Sequence, residues 1–198
     1  MPAETFIALL IYAFVSSVTP GPNNLMLLAS GVNFGFRRTV PHMLGISAGF
    51  LTMLLVVGLG LGAVLDAVPG LHLALKILGG AYLLYLAWRI AMAGQPGKAG
   101  HSRARPMTFL EAAAFQFVNP KAWVLAVTAM ALYTSPASHV GSVMVIAASF
   151  TAVNLPSVSV WAGFGVALRG LLADPIRLRL FNIVMGLLLA ATLFPMLG

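Results

Sequence analysis

Cysteine is absent from this chain, and acidic residues are scarce, with 4 Asp and Glu among 198 residues. The first absence excludes disulfides, thiolate nucleophiles and cysteine-ligated metals or iron–sulfur clusters. The second leaves Glu4, Asp66, Glu111 and Asp174, all near the ends of apolar runs, so no carboxylate stands where a buried proton relay or sodium ligand would. The histidines, His42, His72, His101 and His139, are dispersed and show no metal-ligand spacing. No metal and no cofactor is expected. Charged residues make up only 8% of the chain against 60% hydrophobic, and the mean hydropathy is +0.99. That leaves too little polar surface for a soluble globule and too much apolar length for a single anchor, so the chain reads as an integral membrane protein. Met1-Pro2-Ala3-Glu4 supplies no basic leader, and the first apolar run is expected to be a retained span.

Runs long enough to cross about 30 Å of hydrocarbon as helix fall at about 6–34, 41–63, 71–92, 109–133, 139–167 and 176–197. The expected fold is therefore all-α and polytopic, with six transmembrane helices in one domain, 1–198. The odd connections carry Arg37, Arg38, Arg89, Lys98, Arg103, Arg105, Arg169, Arg177 and Arg179, which is 9 of the 11 Lys and Arg residues. A net charge of +7 thus reports topology and not nucleic acid. By the positive-inside rule the odd connections are cytoplasmic and both termini lie outside. Three spans per half make the second half enter from the opposite side, as an inverted repeat requires. Repeat 1 covers about 1–93, a basic cytoplasmic loop about 94–106, and repeat 2 about 107–198.

Two spans are interrupted near their centres, the first by Thr19-Pro20-Gly21-Pro22-Asn23-Asn24 and the fourth by Asn119-Pro120-Lys121. Interrupted helices at matching places in two halves point to a transport site at the midplane. A mid-span proline removes a backbone hydrogen bond, and lipid cannot satisfy the freed carbonyl. Thr19 is expected to cap a second half-helix beginning at Pro20 or Pro22, whose free amides would face the break. Lys121 at the bilayer centre costs about 2.5–3.5 kcal/mol, and such residues face a cavity or a partner. Asn119 is a candidate cap, while Asn154, beside Pro156 in span five, and Gln116 are candidates for lining the site or for bridging helices. Asn182 has the same two readings. Tyr82, near mid-depth in span three, is a candidate pocket wall, with packing as the alternative. Span five is long enough to be broken at Pro156. Gly31/Gly35, Gly45/Gly49 and Gly58/Gly62 read as close-packing positions.

Thr19-Pro-Gly-Pro-Asn-Asn24, followed by Gly35-Phe36-Arg37-Arg38, Lys76-x-x-Gly-Gly-Ala-Tyr-Leu and Phe115-Gln-Phe-Val-Asn-Pro-Lys121, resembles the lysine exporter (LysE/RhtB) family of amino-acid translocators over the whole chain. The Phe-Gln-Phe-Val-Asn and Asn-Ile-Val stretches look most like the branch exporting cysteine and O-acetylserine. Where many members carry aspartate in span five, this chain has Asn154. The resemblance implies a transporter of the bacterial cytoplasmic membrane that exports a small amino acid. Export driven by a coupling proton is implied by analogy alone, and a homodimer is left open. A carboxylate would sit on Lys121 and the amides near Pro22 to Asn24, with Thr19, Asn119, Asn154 and Tyr82 taking the other polar groups. A channel or an intramembrane enzyme is the alternative, though no Ser-His pair, paired carboxylates or nucleotide loop is present.

Overall fold

The computed structural model describes residues 1–61, 69–93 and 105–194. Gly62, Asp66 and most of the basic loop, with Lys98, His101 and Arg103, lie outside them. The described residues form eight α-helices: α1 (Ala3–Val18), α2 (Pro22–Phe34), α3 (Phe36–Val56), α4 (Pro69–Ala91), α5 (Phe109–Gln116), α6 (Pro120–Tyr133), α7 (His139–Leu168) and α8 (Pro175–Ala191). The all-α, polytopic expectation holds. By length and composition, two continuous helical segments among the described residues can cross a membrane, Phe36–Gly60 and Pro136–Leu168. The pair α1 and α2, bent by 52° at its break, makes a third when taken as one span.

Both anticipated breaks are present. Span one divides at Thr19–Gly21 and span four at Phe117–Asn119, in each case with proline opening the second half-helix, where its missing N–H costs nothing. The break that span five was long enough to hold does not occur. Pro156 lies inside the continuous α7, where a single proline removes one backbone bond and helix flanks it on both sides. Helix starts follow side-chain chemistry. Thr108 and Glu111 form a reciprocal capping box on α5, and Asp174 accepts from the amides of Ile176 and Arg177 on α8. Gly35 joins α2 to α3 at φ 83°, a conformation that costs other residues a Cβ clash.

The helices meet through small residues. A Cβ on Gly31 would strike the carbonyl oxygen of Ala162, and one on Gly165 that of Leu28, so α2 and α7 touch backbone to backbone. Gly45 and Gly49 hold α3 against the Phe109 and Ala113 carbonyls of α5 in the same way. α3 also packs on α7, and α4 on α8. Two apolar clusters result, one around Met26, Ile46, Leu83 and Phe115, the other around Leu9, Phe50, Ala126 and Phe150. The two breaks lie where these clusters meet, beside the middle of α3 and of α7.

Candidate functional site

A broken helix inside a membrane leaves carbonyls that must find donors in the protein. At the first break they are all side-chain donors. Asn24 Nδ2 donates to the carbonyls of Ser17 at 2.9 Å and Thr19 at 3.0 Å. Trp161 Nε1 reaches Val18 O at 3.3 Å, and Lys121 Nζ reaches Thr19 O at 2.6 Å. At the second break Trp123 Nε1 donates to Phe117 O at 2.8 Å, while Asn119 Oδ1 accepts from the Lys121 amide at 3.2 Å and so caps α6. The two breaks are stitched together by these contacts and by a reciprocal carboxamide pair, Asn23 Nδ2 to Gln116 Oε1 at 2.8 Å and Gln116 Nε2 to Asn23 Oδ1 at 3.2 Å.

Between them lies an open cleft. Gly21, Pro22, Asn23 and Asn24 line it from the first break, and Gln116, Asn119 and Lys121 from the second. Ile46 and Phe50, midway along α3, and Asn154, midway along α7, complete it. Asn154 Oδ1 accepts from Ser47 Oγ at 3.1 Å, so this carboxamide both lines the cleft and bridges α7 to α3.

The cleft carries one full charge. Acidic side chains among the described residues, Glu4, Glu111 and Asp174, sit at helix starts, and their one ion pair joins Arg105 to Glu111. Lys121 therefore faces the cleft without a counter-ion among the described residues. An ammonium has three donors, and the Thr19 carbonyl takes one. α2 begins at Gly21 with no side-chain cap, so its first-turn amides, at Asn23 and Asn24, point into the break with the positive end of the helix dipole behind them. The arrangement can hold a carboxylate. Gly21 is required by proximity. A Cβ there would stand 2.8 Å from Lys121 Cδ, so glycine gives the lysine its channel across the break.

Three expected roles are corrected. Thr19 does not cap α2: it ends α1, its hydroxyl donates back to Val15 O at 2.5 Å, and its carbonyl is what meets Lys121. Tyr82 is not a wall of this cleft. It packs with the apolar cluster, its ring 5.9 Å from that of Phe115 and 6.0 Å from that of Tyr85. Pro20 and Pro120 shape the breaks without lining the cleft. Sequence reasoning missed Ser16, Ser17 and Ser47, short hydroxyls inside apolar spans that line or brace the site. It also missed Asn33, which forms a second reciprocal pair with Asn182, at 2.7 and 3.0 Å. Two asparagines in otherwise apolar helices of opposite halves were the available signal. Asn182 is thus interhelical glue, holding α2 to α8 and to the Ala93 carbonyl at 2.8 Å.

Comparison with known proteins places these features in context. The family model described as LysE type translocator matches residues 14–193. Proteins named cysteine/O-acetylserine efflux protein from Escherichia coli strain K12 and from Shigella flexneri are 37% identical over 126 residues. One from Escherichia coli O1:K1 is 36% identical over the same length. Each match spans 63% of this chain and 63% of the relative, short of two thirds of either. No solved structure matches significantly.

Proposed function

The chain belongs to the LysE type translocator family, and from that premise we propose that it exports a small neutral amino acid of the cysteine or O-acetylserine kind across the bacterial cytoplasmic membrane. The observation that carries this reading is Lys121 at the second helix break, spending one donor on the Thr19 carbonyl and facing a cleft with no acidic partner among the described residues. The substrate carboxylate sits on the remaining Lys121 donors and on the first-turn amides of α2. Its amino group and polar side chain meet acceptors from the carboxamides of Asn23, Asn119 and Asn154. The carboxylates that would read a second cationic group are missing from this cleft, which favours a neutral amino acid over a basic one. The relatives' printed name supports both the substrate class and the outward direction.

Transport proceeds by rocking of two inverted halves, about 1–93 and 107–198, around this fixed site. Support comes from the matched breaks and from the packing of corresponding elements on each other, α3 on α7 and α4 on α8. Both termini face outward, the orientation that the basic odd connections favour. Purified protein in proteoliposomes, preloaded with unlabelled amino acids, tests the proposal by counterflow. Saturable uptake of labelled O-acetyl-L-serine or L-cysteine and not of L-lysine is expected. Uptake of neither neutral substrate would overturn it, and uptake that rises without saturation would favour a channel.

A further inference from the structure

We infer that a second cavity, at the end of the bundle carrying Arg37, Arg38, Arg89 and Arg105, is a separate binding site for the carboxylate of an amino-acid-sized zwitterion, occupied before the ligand reaches Lys121. The inference rests on the export reading for its direction, and on this structure for its chemistry. The cavity opens to the surface, and its polar lining is Ser30, Asn33, His42, Arg89 and Arg105.

His42 makes the strongest demand for an occupant. It is 1% exposed, and neither ring nitrogen has a hydrogen-bond partner among the described residues. A neutral imidazole carries one donor and one acceptor, and buried polar groups of native proteins are nearly always partnered. The neighbouring groups are already committed. Ser30 Oγ pairs with Thr39 Oγ1 at 2.8 Å, and Asn33 is locked to Asn182. Arg105 forks onto both oxygens of Glu111, one of which also accepts the Thr108 amide at 2.8 Å. Arg89 differs. It spends one N–H on the Arg105 carbonyl at 3.1 Å and lies over the Tyr85 ring at 5.7 Å, with no acidic partner among the described residues. Arg105 and Glu111 cancel, so the cavity keeps the Arg89 charge. An open guanidinium fork beside an imidazole is chemistry for a carboxylate.

The cavity is aligned with the Lys121 cleft. His42 lines the first and Ile46 the second, one turn apart on the same face of α3, and Met26 and Pro22 repeat the relation on α2. A turn is about 5.4 Å, so the two spaces are separated by little more than a layer of side chains. Met26, Ile46 and Phe115 form that layer, each under 5% exposed. The structure therefore has the two spaces in series with an apolar seal between them. A zwitterion that crosses the seal exchanges Arg89 and His42 for Lys121 and the α2 amides, keeping a donor set for its carboxylate on each side.

Histidine-selective ¹⁵N labelling of the full chain in nanodiscs tests this, with His42→Ala identifying the His42 ring signals. Lys121→Met removes the central charge, and Lys121→Gln replaces it if the first variant does not fold. In that background sodium acetate and O-acetyl-L-serine should each shift the His42 signals saturably, ethanolamine should not, and Arg89→Gln should weaken both responses at least tenfold. His42 signals that ignore both carboxylates, or that respond equally in Arg89→Gln, would overturn the second site. The acetate arm does not depend on what is exported, so failure of counterflow with O-acetyl-L-serine would count against the export reading alone.

Discussion

Lys121 Nζ donates to the carbonyl oxygen of Thr19 at 2.6 Å, across 102 residues of sequence, and so closes the broken first span with a side chain from the broken fourth. The contact places a cation at the C-terminal end of α1, where the helix dipole favours one. It also fixes the ammonium at the mouth of the cleft with donors to spare. One residue thus satisfies the backbone that the break exposes and supplies the charge that a substrate carboxylate needs.

Gly21→Ala tests the crowding at this contact. The backbone there is extended at φ −169°, so alanine is conformationally allowed, yet its Cβ falls 2.8 Å from Lys121 Cδ. The expected outcome is a thermal stability within about 1 kcal/mol of the wild type, as for most substitutions away from core cavities, and a counterflow KM raised at least tenfold. An unchanged KM would mean that Lys121 does not need the space.

Replacing Pro20 and Pro22 together by alanine should allow a continuous helix through the first break. The Thr19 carbonyl then enters a helical bond, leaves Lys121 and removes the free first-turn amides of α2. Melting temperature should rise while transport falls, the pattern of a site that holds strain for function. A less stable variant with unchanged substrate affinity would make the break a packing kink.

The Asn33–Asn182 pair predicts a coupling in stability. Asn182 is fully buried, so Asn33→Leu leaves a buried carboxamide short of a partner, at a cost of about 1–3 kcal/mol. Asn182→Leu should cost a similar amount, and the double variant less than the sum. Additive losses in a thermal double-mutant cycle would show that the pair does not act as a unit.

Orientation is tested by reporters. A fusion after Gly198 should be active only outside, and one inserted near Lys98 only in the cytoplasm, as the nine basic residues of the odd connections require. Reversed activities would remove both the topology and the inverted-repeat reading.

The breaks and their chemistry were legible in the sequence because proline, asparagine and lysine in an apolar run each carry a physical penalty that demands an explanation. Asn23, Gln116, Asn119, Lys121 and Asn154 do converge on one cleft. What could not be read was which atom of a residue would act. Thr19 contributes its carbonyl because the hydroxyl has a nearer acceptor one turn back at Val15. Tyr82 packs among apolar and aromatic neighbours instead, and a hydropathy run does not say which neighbours a residue will meet. Pro156 looked like Pro20, yet α7 runs on through a lone proline, whereas Pro-Gly-Pro removes two donors and a side chain within three residues. The Asn33–Asn182 pair was hidden because partners in different halves show no spacing in one chain.

The most direct test of the carboxylate site is counterflow in Lys121→Met, measured beside the wild type in the same proteoliposomes and normalised to folded protein. A charged hydrogen bond contributes about 1.5–3 kcal/mol, so the account predicts that kcat/KM for the transported amino acid falls at least tenfold while the protein remains folded. Wild-type counterflow in a folded Lys121→Met protein would contradict it.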